Sequence, residues 1–173
     1  MKKSGFEEFY SEDERVYVID FANASRVKIP APSKKLSIEP FGRIPKGVFS
    51  SFEKNHRTDF VPMPRTGFEG KNIDRDISMA IVSNDGIEGF CVVEDYLEKC
   101  PIISALWVEK TAPETHFVSL ISAVRNEAIN KYDMDALIFL PVVNDKMAEM
   151  IERVFPENAL KEGMLHYRRK MNL

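Results

Sequence analysis

The sequence predicts a three-layer α+β fold in which a mixed, mostly antiparallel sheet carries helices on its faces. Three observations predict it. Apolar, β-favouring runs extend from Ile77 to Val82, from Ile87 to Val93 and from Pro101 to Lys110, and Asn84-Asp85-Gly86 joins the first two. That turn is a strong hairpin signal, because glycine supplies the positive φ it demands. Phe117, Leu120, Ile121, Val124 and Ala128 then recur at helical spacing. Finally, Ala136 to Leu140 is a continuous apolar run, as in a strand covered on both faces.

The remaining elements follow in order. Phe9-Tyr10, a polar Ser11 to Glu14 turn and Arg15 to Ile19 read as a β-hairpin within residues 1–23. Residues 24–34, with Pro30, Pro32 and Ser33, read as a linker, and residues 35–173 as the main domain. Leu36 to Glu39 alternates apolar and polar, as a half-buried strand does. Pro45 can open a helix, and Ile44, Val48 and Phe52 repeat every four residues along one face. A long, Pro- and Gly-rich connection runs from Lys54 to Asp76. Loops of that length are often functional, so Asp59 to Asp76 is either a substrate lid or a loop anchored by Phe60, Met63 and Phe68. Glu94 to Lys99 is expected to be a charged turn. Thr111-Ala112-Pro113-Glu114 fits a capping box for the next helix. Asn144 or Asp145 caps the last helix, which carries Met147, Met150, Ile151 and Val154 and stops before Pro156. The final strand is expected at about Met164 to Met171.

Composition narrows the function. The net charge is −3 and no long basic stripe occurs, so neither nucleic acid nor an anionic membrane is an expected partner. Arg168-Arg169-Lys170 reads as a solvated strand end. Cys91 and Cys100 sit in apolar surroundings and are expected to be reduced and buried. The three histidines show no metal-ligand spacing. No apolar run nears the roughly 20 residues of a membrane helix, and no signal-peptide core is present. A cytoplasmic protein is the expectation.

The order of elements resembles the GNAT (Gcn5-related N-acetyltransferase) superfamily: strand, helical region, three-strand meander, helix, buried strand, helix, strand. Asn144, at the junction of the buried strand and the last helix, and Val154-Phe155 are similar to the family's Asn-x-x-Ala … Tyr-x-x-x-Gly-Phe pattern. Met147, Ile151 and Val154 depart from it. Lys2 to Tyr17 also resembles the tail of a GNAT domain and echoes Val154 to Tyr167. Residues 1–23 are thus either the last hairpin of a preceding GNAT domain or a strand extension of this one.

The resemblance implies a sheet whose fourth and fifth strands splay, with acetyl-CoA in the gap. Its pantetheine would pair with the fourth strand at Leu106, Trp107 and Val108, and its pyrophosphate would meet the loop before the helix at Thr111, Thr115 and His116, with Asn144 nearby. Phosphate there is favoured by unpaired helix N–H groups and by glycine. Lys110 to His116 contains no glycine, and Pro113 has no N–H. Glu114 repels a nearby anion, by about 1 kcal/mol at 4 Å in water and about 4 kcal/mol at an effective dielectric near 20. Acetyl-CoA binding is therefore expected to be weak or lost. Glu109 and Glu94, with Asp95 beside the latter, are candidate bases for an amine, and Tyr167 a candidate acid, since Ile151 holds the family's tyrosine position. Two functions remain open. One is an acyl-CoA-dependent N-acetyltransferase acting on an amine of a small molecule or protein. The other is a catalytically degenerate domain that binds a partner, such as a preceding GNAT domain or a second copy in a homodimer.

Overall fold

The computed structural model describes residues 14–26, 28–56, 61, 63–64, 67–97, 100–141, 145–154 and 160–165. In chain order the elements are β1 (Glu14–Asp20), α1 (Phe21–Ala24), β2 (Ile38–Pro40), a 3-10 turn (Phe41–Arg43), α2 (Lys46–Asn55), β3 (Met79–Ser83), β4 (Gly86–Leu97), β5 (Cys100–Val108), α3 (Glu114–Lys131), β6 (Leu137–Pro141), α4 (Asp145–Val154) and β7 (Leu160–Leu165). The strands form one sheet in the order β2-β3-β4-β5-β6-β1-β7. Every pairing is antiparallel except β5 with β6. This is the expected mixed, mostly antiparallel α+β architecture.

The sheet buries both faces because each strand alternates apolar residues between them. One face carries α3, with α4 beside it: Phe117, Leu120, Ile121 and Val124 pack with Ile77, Cys91, Val93, Ile138, Leu140, Ala148 and Ile151. The other carries α2 and the long loop, whose Phe49, Phe52 and Phe68 meet Phe41, Phe90 and Ala105. Phe68 is 1% exposed, so this part of the loop is anchored by an aromatic core residue. Cys91 is fully buried, and desolvation pushes its thiol up to about 12.

Several boundaries differ from the sequence expectation. Strand β4 continues through Glu94 and Asp95 to Leu97, where a turn was expected from their charge. Glu94 and Asp95 pair with Ile102 and Pro101, so the β4–β5 hairpin is longer than its apolar run. The last described strand is Leu160–Leu165, ahead of the expected Met164 to Met171, and the rest of that segment lies outside the described residues. Strand β1 sits between β6 and β7, bonded to both. Its Tyr17 and Ile19 are in the core, and the Tyr17 phenol donates to Glu152 of α4.

Candidate functional site

The candidate site is the junction of β5, β6 and the start of α3. Among the described residues, the parallel β5–β6 ladder has one register pair, Ile102 with Phe139. Strand β5 then runs on to Val108. Among the described residues the β5–β6 ladder does not continue beyond that rung, and a strand edge without a partner has backbone N–H and C=O groups to satisfy.

A bulge in the pairing with β4 lies within that stretch of β5. Val92 pairs with Ala105 but Val93 pairs with Ile103, which leaves Ser104 as the extra residue. An extra residue reverses the side-chain alternation. Ile103 accordingly faces α3, while Ala105, two residues on, faces α2. Leu106 and Val108 face α3, and Trp107 faces α2. The Trp107 ring stacks on Phe90 at 5.6 Å and meets Phe52 at 5.2 Å and His56 at 5.6 Å. It is part of the aromatic core.

Strand β5 leads into α3 through Glu109 to Pro113. The Glu109 N–H donates to Glu88 O, keeping the exit bound to β4, and the Ala112 N–H closes a turn onto Glu109 O. The expected capping box is not formed. Helix α3 begins at Glu114 with Pro113 as its N-cap, and no side chain caps it. Ala112 precedes a proline, which disfavours the helical conformation a box starting at Thr111 would impose on it. The helix therefore starts later, and Thr111 stays in the turn. The first-turn N–H groups of α3 carry the positive end of its dipole. Glu114 is 71% exposed and lies 3.9 Å from Arg153 of α4, which partly offsets its charge. His116 Nε2 lies 3.6 Å from Glu88 Oε2, while Nδ1 is buried without a hydrogen-bond partner among the described residues.

The two carboxylate candidates fall at opposite ends of β5. Glu94 pairs across from Ile102 and accepts a 2.6 Å hydrogen bond from the Ser104 hydroxyl, beside the bulge. Glu109 follows Val108, and its Oε1 accepts the Lys110 N–H at 3.0 Å. Seven residue steps separate Ile102, opposite Glu94, from Glu109, about 23 Å at about 3.3 Å per residue. The two do not meet in one site. Leu106, Trp107, Val108, Thr111, Thr115 and His116 follow one another along the strand exit and the helix start. Asn144 and Tyr167 lie outside the described residues.

One polar cluster had no signal in the sequence reading. Asp74, 5% exposed, accepts Lys131 Nζ at 2.6 Å and the Tyr132 hydroxyl at 3.0 Å on Oδ2. Its Oδ1 accepts the N–H groups of Asp76 and Ile77 at 3.3 and 3.4 Å. Only that local Asx-type turn was open to sequence inspection. Among the described residues no group of histidine, cysteine, aspartate or glutamate is arranged to hold a metal. No described helix is long and apolar enough to cross a membrane.

Similar folds occur among solved acetyltransferases. A GCN5-related N-acetyltransferase from Sphaerobacter thermophilus matches 88% of this chain at 15% identity, with a TM-score of 0.59. One from Kribbella flavida matches 87% at 8% identity, with a TM-score of 0.50. This chain spans 50% and 55% of those two chains, about half their length. No protein-family model matches the sequence, and no curated protein is similar to it. At such identities the likeness is one of fold: the chain has the GNAT fold.

Proposed function

We propose that this chain is an acyl-CoA-dependent N-acetyltransferase of GNAT type, acting on an amine of a small molecule or a protein. One observation carries the reading. The edge of β5 beyond Ile102, which has no further β6 rung among the described residues, leads directly to the start of α3, where no side chain caps the helix. An extended amide chain can pair with such an edge, as an added strand would. A diphosphate suits the helix end that the edge leads to.

The residues present fit the cofactor in part. The β5 backbone at Leu106, Trp107 and Val108 would hold pantetheine. Lys110, Thr115 and the His116 Nδ1, which has no partner among the described residues, would face the diphosphate, with Thr111 in the adjoining turn and Asn144 nearby. Acetyl-CoA, when bound, supplies an activated acyl thioester. Glu94 is the better-placed base, because its carboxylate is held at the Ser104 bulge, inside the stretch of β5 that would hold the pantetheine and away from the diphosphate position. Glu109 stands beside the diphosphate position, where a second negative charge opposes binding. Tyr167 is proposed as the acid for the departing thiolate.

Two features favour a second reading, a degenerate domain that binds a partner. The turn Lys110 to Pro113 has no glycine, and Ile151 is buried in the core at the family's tyrosine position. The partner proposed is a preceding GNAT domain or a second copy. A thermal melt in acetyl-CoA separates the readings. At one hundred times its dissociation constant a ligand stabilises the fold by about 2.7 kcal/mol, or about 5–10 °C for a chain of this size. A shift of that order supports the enzyme. An unchanged melting temperature at millimolar acetyl-CoA favours the binding domain.

A further inference from the structure

We infer that the cleft at the head of α2 is a binding site for a small phosphate monoester. The cleft has a volume of about 550 Å³, and Gly42, Arg43, Lys46, Glu69, Lys71 and Arg75 are among its lining residues. That size is in the range of small-molecule sites, roughly 300–1,000 Å³. None of these residues belongs to the β5–α3 junction, so the inference stands apart from acyl transfer.

Charge decides the class of ligand. Four cations and one carboxylate line this cleft, in a chain whose net charge is −3. Glu69 is already engaged by Lys46 at 2.8 Å and by Arg75 at 3.7 Å. The hydrogen bond from Lys46, then the charges of Lys46 and Arg75, hold its carboxyl below the usual glutamate value. Arg75 is fixed in place: it donates to Phe68 O at 3.1 Å and to Phe41 O at 2.9 Å, and it lies over the Phe49 ring at 5.8 Å. Arg43 and Lys71 have no ion-pair partner among the described residues. The cleft thus presents a surplus of three positive charges, two of them uncommitted. A phosphate dianion matches that surplus better than a single carboxylate, and arginine binds phosphate through paired N–H groups.

The backbone is consistent with the same ligand. Helix α2 opens on this cleft with Pro45 as N-cap and no side chain capping it. A Cβ added at Gly47, in the first turn, would meet nothing within 4 Å. Phosphate fills only part of the volume, which leaves room for the organic body of an ester. A long polyanion is disfavoured, because outside the cleft the acidic chain repels it.

Calorimetry with glycerol phosphate tests the inference, at an ionic strength held constant with sodium chloride. Saturable binding to the wild type is expected. The double variant Arg43→Ala/Lys71→Ala should raise the dissociation constant at least ten-fold. Lys28→Ala/Lys54→Ala, which removes two exposed cations elsewhere, should change it less than two-fold. Should the first double variant not fold, Arg43→Gln and Lys71→Gln singly should each weaken binding at least three-fold. The inference is overturned by absence of saturable heat at 10 mM ester, or by equal weakening in both double variants. Inorganic phosphate binding as tightly as the ester would also overturn it, because the cleft would then recognise no organic body.

Discussion

Tyr132 donates its hydroxyl hydrogen to Oδ2 of Asp74 at 3.0 Å, across 58 residues of sequence. The contact joins the end of α3 to the loop that leads into β3. The same loop is tied to β4, since the Asp74 N–H donates to Val93 O at 2.9 Å and Ser78 Oγ to Val93 O at 3.2 Å. Asp74 therefore ties the end of α3 to the loop through its carboxylate and the loop to β4 through its backbone N–H.

Removing the phenol should measure that connection. A hydrogen bond to a charged group contributes about 1.5–3 kcal/mol, so Tyr132→Phe should lower unfolding stability by that amount. Asp74→Ala should lower it further, because it also deprives Lys131 and the N–H groups of Asp76 and Ile77 of their acceptor. Urea denaturation of the three proteins checks this, and a Tyr132→Phe loss under about 0.5 kcal/mol would show the bond to be incidental.

The same cluster sets an alkaline limit. Burial, then the nearby Asp74 charge and hydrogen bond, raises Tyr132 above its ordinary 10.0. The hydrogen bond to Asp74 raises Lys131 above its ordinary 10.5. Both folded-state values lie above the unfolded ones, so the folded protein holds more protons. Their contribution is complete below about pH 10 and is lost as pH rises through the folded-state values. The urea midpoint should fall as pH rises above 10, and less steeply in Tyr132→Phe. Parallel profiles for the two proteins would refute this origin of the fall.

Which features were legible in the sequence follows from the range of the forces behind them. Asn84-Asp85-Gly86 was legible because a hairpin turn is a local demand, and Gly86 has φ 127°. The α3 stripe was legible because its period is set by its own backbone, and Phe117, Leu120, Ile121, Val124 and Ala128 are all buried. The capping box at Thr111 failed for a local reason also present in the sequence, the proline at position 113. Glu94 and Asp95 were assigned to a turn by charge alone, yet the hairpin pairing carries them into the strand. The place of β1 between β6 and β7, the bulge at Ser104 and the Asp74 cluster depend on partners distant in sequence. No local pattern marks those.

Gly89 reports on how closely β4 and β5 approach. A Cβ there would lie 3.1 Å from Trp107 O and 3.3 Å from both Leu120 Cδ1 and Val108 Cγ2. Leu120 can yield, but the Trp107 carbonyl belongs to a paired strand and yields less. Overpacking of this kind costs about 1–3 kcal/mol, and Gly89→Ala is expected near the middle of that range. Trp107 is the single tryptophan, so its emission reports the local shift during the same denaturation. A variant as stable as the wild type, with unchanged emission, would mean that the strands separate without cost.

The position of the two carboxylates gives a test of mechanism. Glu94 stands beside the Ser104 bulge and Glu109 at the exit towards α3, about 23 Å apart along the strand. A general base contributes about 10²–10⁴-fold in rate. Glu94→Gln should therefore lower kcat for acetyl-CoA-dependent thiol release, assayed with a panel of primary amines, by at least about 100-fold. The KM for acetyl-CoA should barely move, because Glu94 lies far from the proposed diphosphate position. Glu109→Gln should act in the opposite sense: kcat is retained and the KM for acetyl-CoA falls, because a negative charge beside the proposed diphosphate position is removed. If Glu109→Gln abolishes turnover while Glu94→Gln is silent, the reacting centre lies at the α3 end of the cleft, and the thioester cannot be at the bulge.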